Sequence, residues 1–420
     1  MMFVHELRCS VCGHSYQPGE VDYTCPACGS AGTLDVRYDF DALRRVVPRE
    51  SLTDCADQSL WRYRALLPLA EQAPVPPLHV GGTPLYDAPR LAQDLGLAQV
   101  WVKDDGRNPT GSLKDRASAL IVARALADGI QVVTTASTGN AAAALAGLAA
   151  SVGLPAVIFV PASAPEAKIA QLLTFGATVL LVQGNYDAAF DLAVEASARY
   201  GWYCRNTGMN PYTLEGKKTV AYEIAEQLGW QMPDAIVVSV GDGNIISGVH
   251  KGLCDLMELG WIDRMPKLIG VQAAGSAALY DVWKRGADPA TMVPINAQTV
   301  ADSISADLPR DRVKAVRAVR DTGGAFVSVP DEAILAGIPA LARLAGVFAE
   351  PAASATYAGA QAALAEGHLQ PDERVVLLVT GNGLKDIKSA MRVAGSGHPV
   401  APSIEAVEQV RARLGLPSFG

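Results

Sequence analysis

The sequence predicts an α/β protein with open, mainly parallel sheets, arranged in two lobes with a cleft between them. From Val80 onward, runs rich in β-branched residues alternate with Ala- and Leu-rich amphipathic runs, which is typical of βαβ units. Half of the 420 residues are apolar, enough for more than one folded unit. Two CxxC motifs precede this alternation and indicate a separate small N-terminal unit.

Charge and hydropathy exclude several classes of partner. Acidic residues outnumber basic ones by 43 to 35, so the formal charge of -8 disfavours nucleic acids and anionic membranes. The uncharged stretch from Ile130 to Pro165 is interrupted by glycines, Asn140 and Pro155, which predicts a buried strand, helix and strand rather than a membrane span. No apolar core of the signal-peptide type precedes Cys9. We therefore expect a cytoplasmic protein with a small-molecule partner.

The four N-terminal cysteines have the spacing of a metal site. Cys9 and Cys12 form one pair, Cys25 and Cys28 form the other, and a glycine follows each pair and permits a tight turn. Four thiolates so placed can surround a structural zinc ion, and they leave no open position for a catalytic metal. The alternative is a ribbon of the same shape that is empty or partly oxidised.

The first of three polar loops surrounds Lys114, in the segment NPTGSLKDR from Asn108 to Arg116. Ser112 and Asp115 have the spacing of a capping box, which predicts Ser112 as the N-cap and Lys114 as the second helical residue. The helix dipole at that end disfavours an ammonium group and favours the neutral amine that attacks an aldehyde. The alternative reading is a solvated surface lysine.

The second loop contains Ser137, Thr138, Gly139 and Asn140, between a β-branched run and an Ala-rich run. Hydroxyl, amide and free N–H groups at the beginning of a helix make an anion pocket suited to a carboxylate. An ordinary helix cap is the alternative.

The third loop contains Gly241, Asp242, Gly243, Asn244 and Ile245, again between a strand and a helix. The backbone amides of such a turn can cradle a phosphate, although neither the GxGxxG pattern nor the Walker pattern is complete.

Taken together, these segments resemble the fold type II pyridoxal-phosphate (PLP) enzymes, and the threonine synthase family most closely. The matching segments include NPTGSLKDR, ASTGN, VGDGN and TGNGLKD, the last from Thr380 to Asp386. The resemblance implies a tryptophan synthase β-like fold with two open, mainly parallel sheets, and a cysteine ribbon also occurs in many members. It divides the chain into a zinc-ribbon-like unit (1–40), a large PLP-binding domain (41–117 with 206–420) and a small domain (118–205).

The resemblance also implies a role for each site residue. Lys114 would hold PLP covalently and shuttle protons. Cofactor contacts would come from Lys114, Asn140, Gly241, Asp242, Gly243, Asn244, Ile245 and Thr380. Substrate contacts would come from Ser137, Thr138, Gly139, Asn206 and Thr207. The neutral Thr380 hydroxyl would face the pyridine nitrogen and leave it unprotonated.

The implied activity converts O-phosphohomoserine and water to threonine and phosphate, in a homodimer. Three alternatives stay open: a cysteate synthase-like replacement, a threonine or serine dehydratase, and a non-catalytic PLP-binding or zinc-ribbon adaptor. Residues 301–310 depart from the basic, glycine-containing run that the family has here. If this segment faces the substrate, Asp302 and Asp307 would repel a phosphate group on it.

Overall fold

The computed structural model describes residues 3–164 and 166–417, and its strands form three sheets. The strands are β1 Val4–Cys9, β2 Ser15–Tyr16, β3 Leu34–Tyr38, β4 Leu85–Asp87, β5 Gln99–Asp104, β6 Val133–Ala136, β7 Ala156–Pro161, β8 Thr178–Val182, β9 Tyr203–Cys204, β10 Ala235–Ser239, β11 Lys267–Ala273, β12 Ala325–Val329 and β13 Arg374–Val379.

Helices follow most of the strands, as the alternating sequence pattern predicts. The α-helices are α1 Phe40–Val46, α2 Pro89–Leu95, α3 Lys114–Ala127, α4 Asn140–Ala150, α5 Glu166–Thr174, α6 Tyr186–Tyr200, α7 Tyr212–Lys217, α8 Thr219–Gln227, α9 Asn244–Glu258, α10 Ala278–Lys284, α11 Arg312–Asp321, α12 Asp331–Ala345, α13 Pro351–Ala365, α14 Ile387–Met391 and α15 Ile404–Leu414. Short 3-10 helices occupy Gly29–Ala31, Arg49–Leu52, Leu60–Leu66, Asp105–Arg107, Ala274–Ser276, Pro289–Thr291, Asp302–Ile304 and Gly383–Asp386. Within the described ranges, no helix combines the length and the apolar character needed to cross a bilayer.

The larger sheet has six strands in the order β12-β11-β10-β13-β5-β4. All neighbours are parallel except β4, which pairs with β5 in the antiparallel sense. Every residue of β10 is buried, because helices cover both faces of the sheet. This burial explains the continuous apolar run in the sequence.

The smaller sheet is parallel throughout, in the order β8-β7-β6-β9. Its edge strand β8 is largely exposed, whereas β6 is fully buried. The fold class predicted from the sequence is thereby confirmed: the protein is α/β, with two separate, mainly parallel sheets.

The N-terminal residues form a third, antiparallel sheet in the order β2-β1-β3. Polar contacts join this sheet to the regions of both other sheets. The Nζ of Lys314 donates to the Leu34 carbonyl at 2.7 Å, and the Tyr38 hydroxyl donates to Glu215 at 2.6 Å. The Tyr23 hydroxyl accepts a bond from the Cys204 amide at 2.9 Å, at the end of β9.

The predicted capping box at Ser112 is wrong. Leu113 is the N-cap of α3, Lys114 is its first residue rather than its second, and the buried Ser112 hydroxyl has no hydrogen-bond partner. The Asp115 carboxylate instead accepts bonds from the amide and hydroxyl of Thr110, the amide at 2.7 Å. Asp115 thus fixes the preceding loop, and Lys114 still stands where the helix begins.

Candidate active site

A cavity of about 730 Å³ opens at the carboxyl ends of strands from both parallel sheets. Loops that follow β6, β10 and β13 form its walls, together with the first residue of α3. Open parallel sheets bind ligands at this edge, since strands there run into helix N-termini.

Nearly all of the predicted site residues meet in this cavity. Its lining includes Lys114, Ser137, Thr138, Gly139, Asn140, Thr207, Gly241, Asp242, Gly243, Asn244, Ile245 and Thr380. Asn206 is placed differently, behind the loop that follows β6. Its Oδ1 accepts bonds from the Thr135 hydroxyl at 2.9 Å and the Ala136 amide at 2.8 Å, so it supports that loop. The functional roles of these residues stay predictions.

Lys114 has an unusual electrostatic environment. Burial lowers the pKa of its amine, and the neighbouring Arg205 guanidinium lowers it further, against the opposite influence of Glu350 and Asp242. Its position at the beginning of α3 acts in the same direction. A neutral amine of this kind can act as a nucleophile and as a base.

Two carboxyl groups share the cavity with that amine, the buried Glu350 and the partly buried Asp242. The Asn140 Nδ2 donates to both carboxylate oxygens of Glu350, at 2.8 and 3.1 Å. Burial raises the pKa of Glu350, and burial likewise raises the pKa of Asp242. Sequence reasoning missed Glu350, because its only local signal is its place before Pro351 at the beginning of α13.

The loop between β10 and α9 requires glycine at two positions. Gly243 has a φ of +86°, and a Cβ there would lie 2.7 Å from the Ala315 Cβ. A Cβ on Gly241 would lie 2.7 Å from the Ile304 Cα. The backbone therefore approaches its neighbours closely, and the first N–H groups of α9 are available to an anion.

Lys217 lies beneath this loop, and sequence reasoning did not single it out. It is fully buried, lines the cavity and donates to the Asn244 Oδ1, while the Asn244 Nδ2 donates to Asp311. Burial lowers the pKa of its amine well below the usual value, and the nearby Arg205 and Lys114 add to the effect.

The beginning of α4 forms a second anion position. Gly139 is its N-cap, no side chain caps the helix, and a Cβ on Gly139 would meet open space. The first amides of α4 thus face the cavity beside Ser137 and Thr138. A substrate carboxylate suits such a position.

The acidic segment 302–307 lines the cavity, so its carboxylates could meet a phosphorylated substrate there. Asp302 forms an ion pair with Lys168, and the Asp307 Oδ1 accepts a bond from the Ala297 amide at 2.8 Å. Both carboxylates therefore have partners of their own, which reduces the repulsion that they exert on a bound anion.

The residues of the cavity fit PLP. Among the described residues, the Arg205 Nη2 and the Ser239 hydroxyl are buried without a protein partner, and both residues line the cavity. A glycine cradle at a helix N-terminus suits a phosphate, and an amine of lowered pKa suits an aldehyde.

The four N-terminal cysteines are also assembled. Their Sγ atoms all lie within 4.8 Å of one another, and Gly32 packs so closely that a Cβ there would be 2.6 Å from the Cys28 Cβ. This donor set, Cys9, Cys12, Cys25 and Cys28, is the one that structural zinc prefers.

The fold and this cavity define a class of enzyme. The family described as pyridoxal-phosphate dependent enzyme matches residues 77–381, and the chain belongs to that family. Within it, the chain belongs with the threonine synthases. The threonine synthase of Methanosarcina acetivorans is 41% identical over 97% of this chain and 98% of its own length. That of Methanocaldococcus jannaschii is 38% identical over 92% of this chain and 94% of its own length.

Solved structures with lower sequence identity show the same fold. The processed form of threonine deaminase isoform 2 from Solanum lycopersicum is 24% identical, with a TM-score of 0.63 over 74% of this chain and 83% of its own. Diaminopropionate ammonia lyase from Escherichia coli is 21% identical, with a TM-score of 0.64 over 74% of this chain and 86% of its own.

Proposed function

We propose that this protein is a threonine synthase, which converts O-phospho-L-homoserine and water to L-threonine and phosphate with PLP as its cofactor. One observation carries the proposal. A partly buried amine of lowered pKa, Lys114, shares the cavity with a glycine cradle for phosphate, in a chain that matches threonine synthases along almost its whole length.

When bound, PLP supplies an aldehyde carbon for the covalent link to an amine and an electron-withdrawing ring that stabilises negative charge at the substrate Cα. Lys114 would hold the cofactor through that link, and its amine would remove the proton from the substrate Cα. A second proton leaves Cβ, phosphate leaves Cγ, and a proton is added at Cγ to form the methyl group. Water then adds its hydroxyl group at Cβ, its remaining proton passes to the phosphate, and a proton returns to Cα.

The surrounding residues orient the reactants. Gly241, Asp242, Gly243, Asn244 and Ile245 would hold the cofactor phosphate. Asn140 would hold the ring hydroxyl, and the neutral Thr380 hydroxyl would serve the pyridine nitrogen. Ser137, Thr138 and Gly139 hold the substrate carboxylate at the beginning of α4, Thr207 contacts the substrate from another wall, and Asn206 acts through its bonds to Thr135 and Ala136.

The proposal extends to the rest of the chain. Cys9, Cys12, Cys25 and Cys28 bind a structural zinc ion, supported by their mutual distances. The protein is a cytoplasmic homodimer. Residues 41–117 with 206–420 form the PLP-binding domain, 118–205 form the small domain, and 1–40 form the ribbon.

Substrate profiling of the purified, PLP-loaded protein tests this function. O-phosphohomoserine, O-phosphoserine and threonine are supplied separately, and phosphate, threonine and keto acid are measured. We expect phosphate and threonine in equal amounts from O-phosphohomoserine alone. Keto acid from threonine would indicate a dehydratase, and turnover of O-phosphoserine alone would indicate a cysteate synthase-like enzyme.

A further inference from the structure

A buried lysine of α11, Lys314, joins the N-terminal ribbon to the rest of the protein. Its Nζ donates to the Leu34 carbonyl at 2.7 Å and lies 3.3 Å from the Asp35 carboxylate, both on β3. Arg317, three residues further along α11 and partly exposed, binds the same carboxylate at 2.7 Å. Because Lys314 is buried, these contacts replace the water that its ammonium group loses. The ribbon therefore completes the surroundings of a charge that belongs to α11.

The beginning of α11 also contacts the loop between β10 and α9, residues 241–245, which we call the phosphate loop. The Asp311 carboxylate lies 3.8 Å from the Lys314 Nζ and accepts a hydrogen bond from the Asn244 Nδ2. The Asp311 amide donates to the Asp242 carbonyl at 2.9 Å. Lys314 thus lies between the carboxylate of Asp35 on the ribbon and the carboxylate of Asp311 beside the phosphate loop.

The ribbon end of this connection is built next to the cysteine cluster. Leu34 pairs with Cys9 where β3 runs beside β1. The Cys25 amide donates to the Gly32 carbonyl at 2.9 Å, two residues before Leu34. Metal binding by four thiolates orders the backbone that carries them. A metal ion held by these cysteines would therefore fix the positions of Leu34 and Asp35.

A second contact from the ribbon reaches α9, the helix that begins at the phosphate loop. The Nζ atoms of Lys218 and Lys251 lie 4.1 and 4.9 Å from the centroid of the Tyr38 ring. Lys251 is on α9, and Lys218 pairs with Asp255 of the same helix at 2.7 Å. Both helices that adjoin the phosphate loop, α9 and α11, are therefore held against the ribbon.

We propose that Lys314 and Asp311 are positioning residues for the cofactor phosphate, and that through them metal binding in the ribbon raises the affinity of the site for PLP. Neither side chain is part of the cavity lining, so both act through Asn244 and the phosphate loop. The coupling is reciprocal, and PLP raises the affinity of the cysteines for zinc by the same factor. The inference rests on the positions proposed above for the cofactor phosphate and for zinc.

Titration of the PLP-free protein with PLP and with pyridoxal, which lacks the phosphate, tests the inference. Cofactor absorbance is followed in zinc-loaded protein and in protein whose zinc has been removed by a chelator under reducing conditions. We expect zinc removal and Lys314→Met each to weaken PLP binding about tenfold, and pyridoxal binding by less than about twofold. A role in general stability alone would weaken the binding of both ligands alike.

Further variants separate positioning from folding. Lys314→Arg keeps a charge between the two carboxylates and should recover most of the PLP affinity. Arg317→Gln removes a partly exposed pair and should weaken PLP binding about twofold to threefold. Arg320→Gln, on an exposed position of the same helix, is the matched control and should change neither affinity. If Lys314→Met does not fold, the Arg317→Gln and zinc-removal titrations decide the question.

Zinc removal from Lys314→Met identifies the route of the coupling. If the ribbon acts through this side chain, removing zinc from the variant should cost little further PLP affinity, because the two changes are not additive. A further tenfold loss would overturn the inference. Unaltered PLP affinity in both the zinc-free wild type and the Lys314 or Arg317 variants would overturn it too, as would an equal loss of pyridoxal.

These outcomes are independent of the proposed activity. PLP affinity that depends on zinc and Lys314, in a protein that leaves phosphohomoserine unchanged, would support the inference and reject the function. Turnover of phosphohomoserine by a protein whose PLP affinity ignores both would support the function and reject the inference.

Discussion

Lys114 and Arg116 lie two residues apart at the beginning of α3, yet their surroundings are opposite: Arg116 is fully buried, and Lys114 is only partly buried. Arg116 forms ion pairs with Asp105 and Glu223, each at 2.6 Å, and Lys103 joins Glu223 at 2.6 Å. Lys114 faces the cavity with no ion pair among the described residues. Arg116 is therefore a charge that stabilises the fold, whereas the amine of Lys114 is available for chemistry.

The pKa shifts of the two side chains have opposite signs because the charges beside them differ. Burial alone lowers the pKa of either cation. For Arg116, Asp105 and Glu223 outweigh burial and hold its pKa well above the usual value. For Lys114, the neighbouring Arg205 adds to the effect of burial, and the pKa stays low. Ion pairing with carboxylates therefore decides which of the two cations is chemically reactive.

The largest expected effect is on Lys114 itself. Lys114→Ala should lower kcat by about 10⁴-fold or more, because it removes both the cofactor link and the base. The thermal midpoint of the apo-protein should not fall, since no ion pair is lost. Lys388→Ala, on an exposed position of α14, is the matched control. Turnover by Lys114→Ala near the wild-type rate would contradict this role.

The paired cluster should respond in stability instead. Glu223→Gln removes the ion-pair partner of Lys103 and leaves Arg116 with Asp105 alone, so it should lower the free energy of unfolding by about 3–5 kcal/mol. Denaturant titration measures this, with the exposed Glu408→Gln as the matched control. A loss below about 1 kcal/mol would show that the pairs do not stabilise the fold.

Lys217 should show an intermediate effect, on cofactor affinity. Lys217→Gln removes the amine beneath the α9 loop and should weaken PLP binding about tenfold, in the range of one hydrogen bond to a charged group. Equilibrium dialysis against PLP measures the change. Unaltered affinity would show that the loop amides suffice for the phosphate.

The smallest expected effect is a shift in pH dependence. Attack on the aldehyde needs the neutral Lys114 amine, so the rate of PLP uptake by apo-protein should rise with pH and level off below the usual lysine pKa. A neighbouring cation disfavours the ammonium form, so Arg205→Gln should raise the pKa of Lys114 and move this rise to higher pH. Stopped-flow absorbance measures the profile, and a shift to lower pH would contradict the account.

The sequence could predict the fold and the three loops because their signals are local. β-branched runs followed by glycine and polar residues identify the carboxyl ends of strands, where parallel sheets gather their loops. This placed Lys114, Asn140 and Gly243 in one cavity, although they are far apart in the chain.

The remaining features depend on contacts that no local pattern carries. Glu350 meets Asn140 across 210 residues, and Arg205 comes to line the same cavity as Lys114 only through the fold. The capping box failed because the polar groups of Thr110 lie within reach of Asp115. Spacing in the chain cannot specify such competition between partners.

Borohydride reduction of the PLP-loaded protein, followed by peptide mass spectrometry, tests the central claim most directly. Lys217 makes the test stringent, because it is a second lysine of lowered pKa in the same cavity. We predict that the pyridoxyl group is found on Lys114 alone. A pyridoxyl group on Lys217, or no modified lysine at all, would contradict the account.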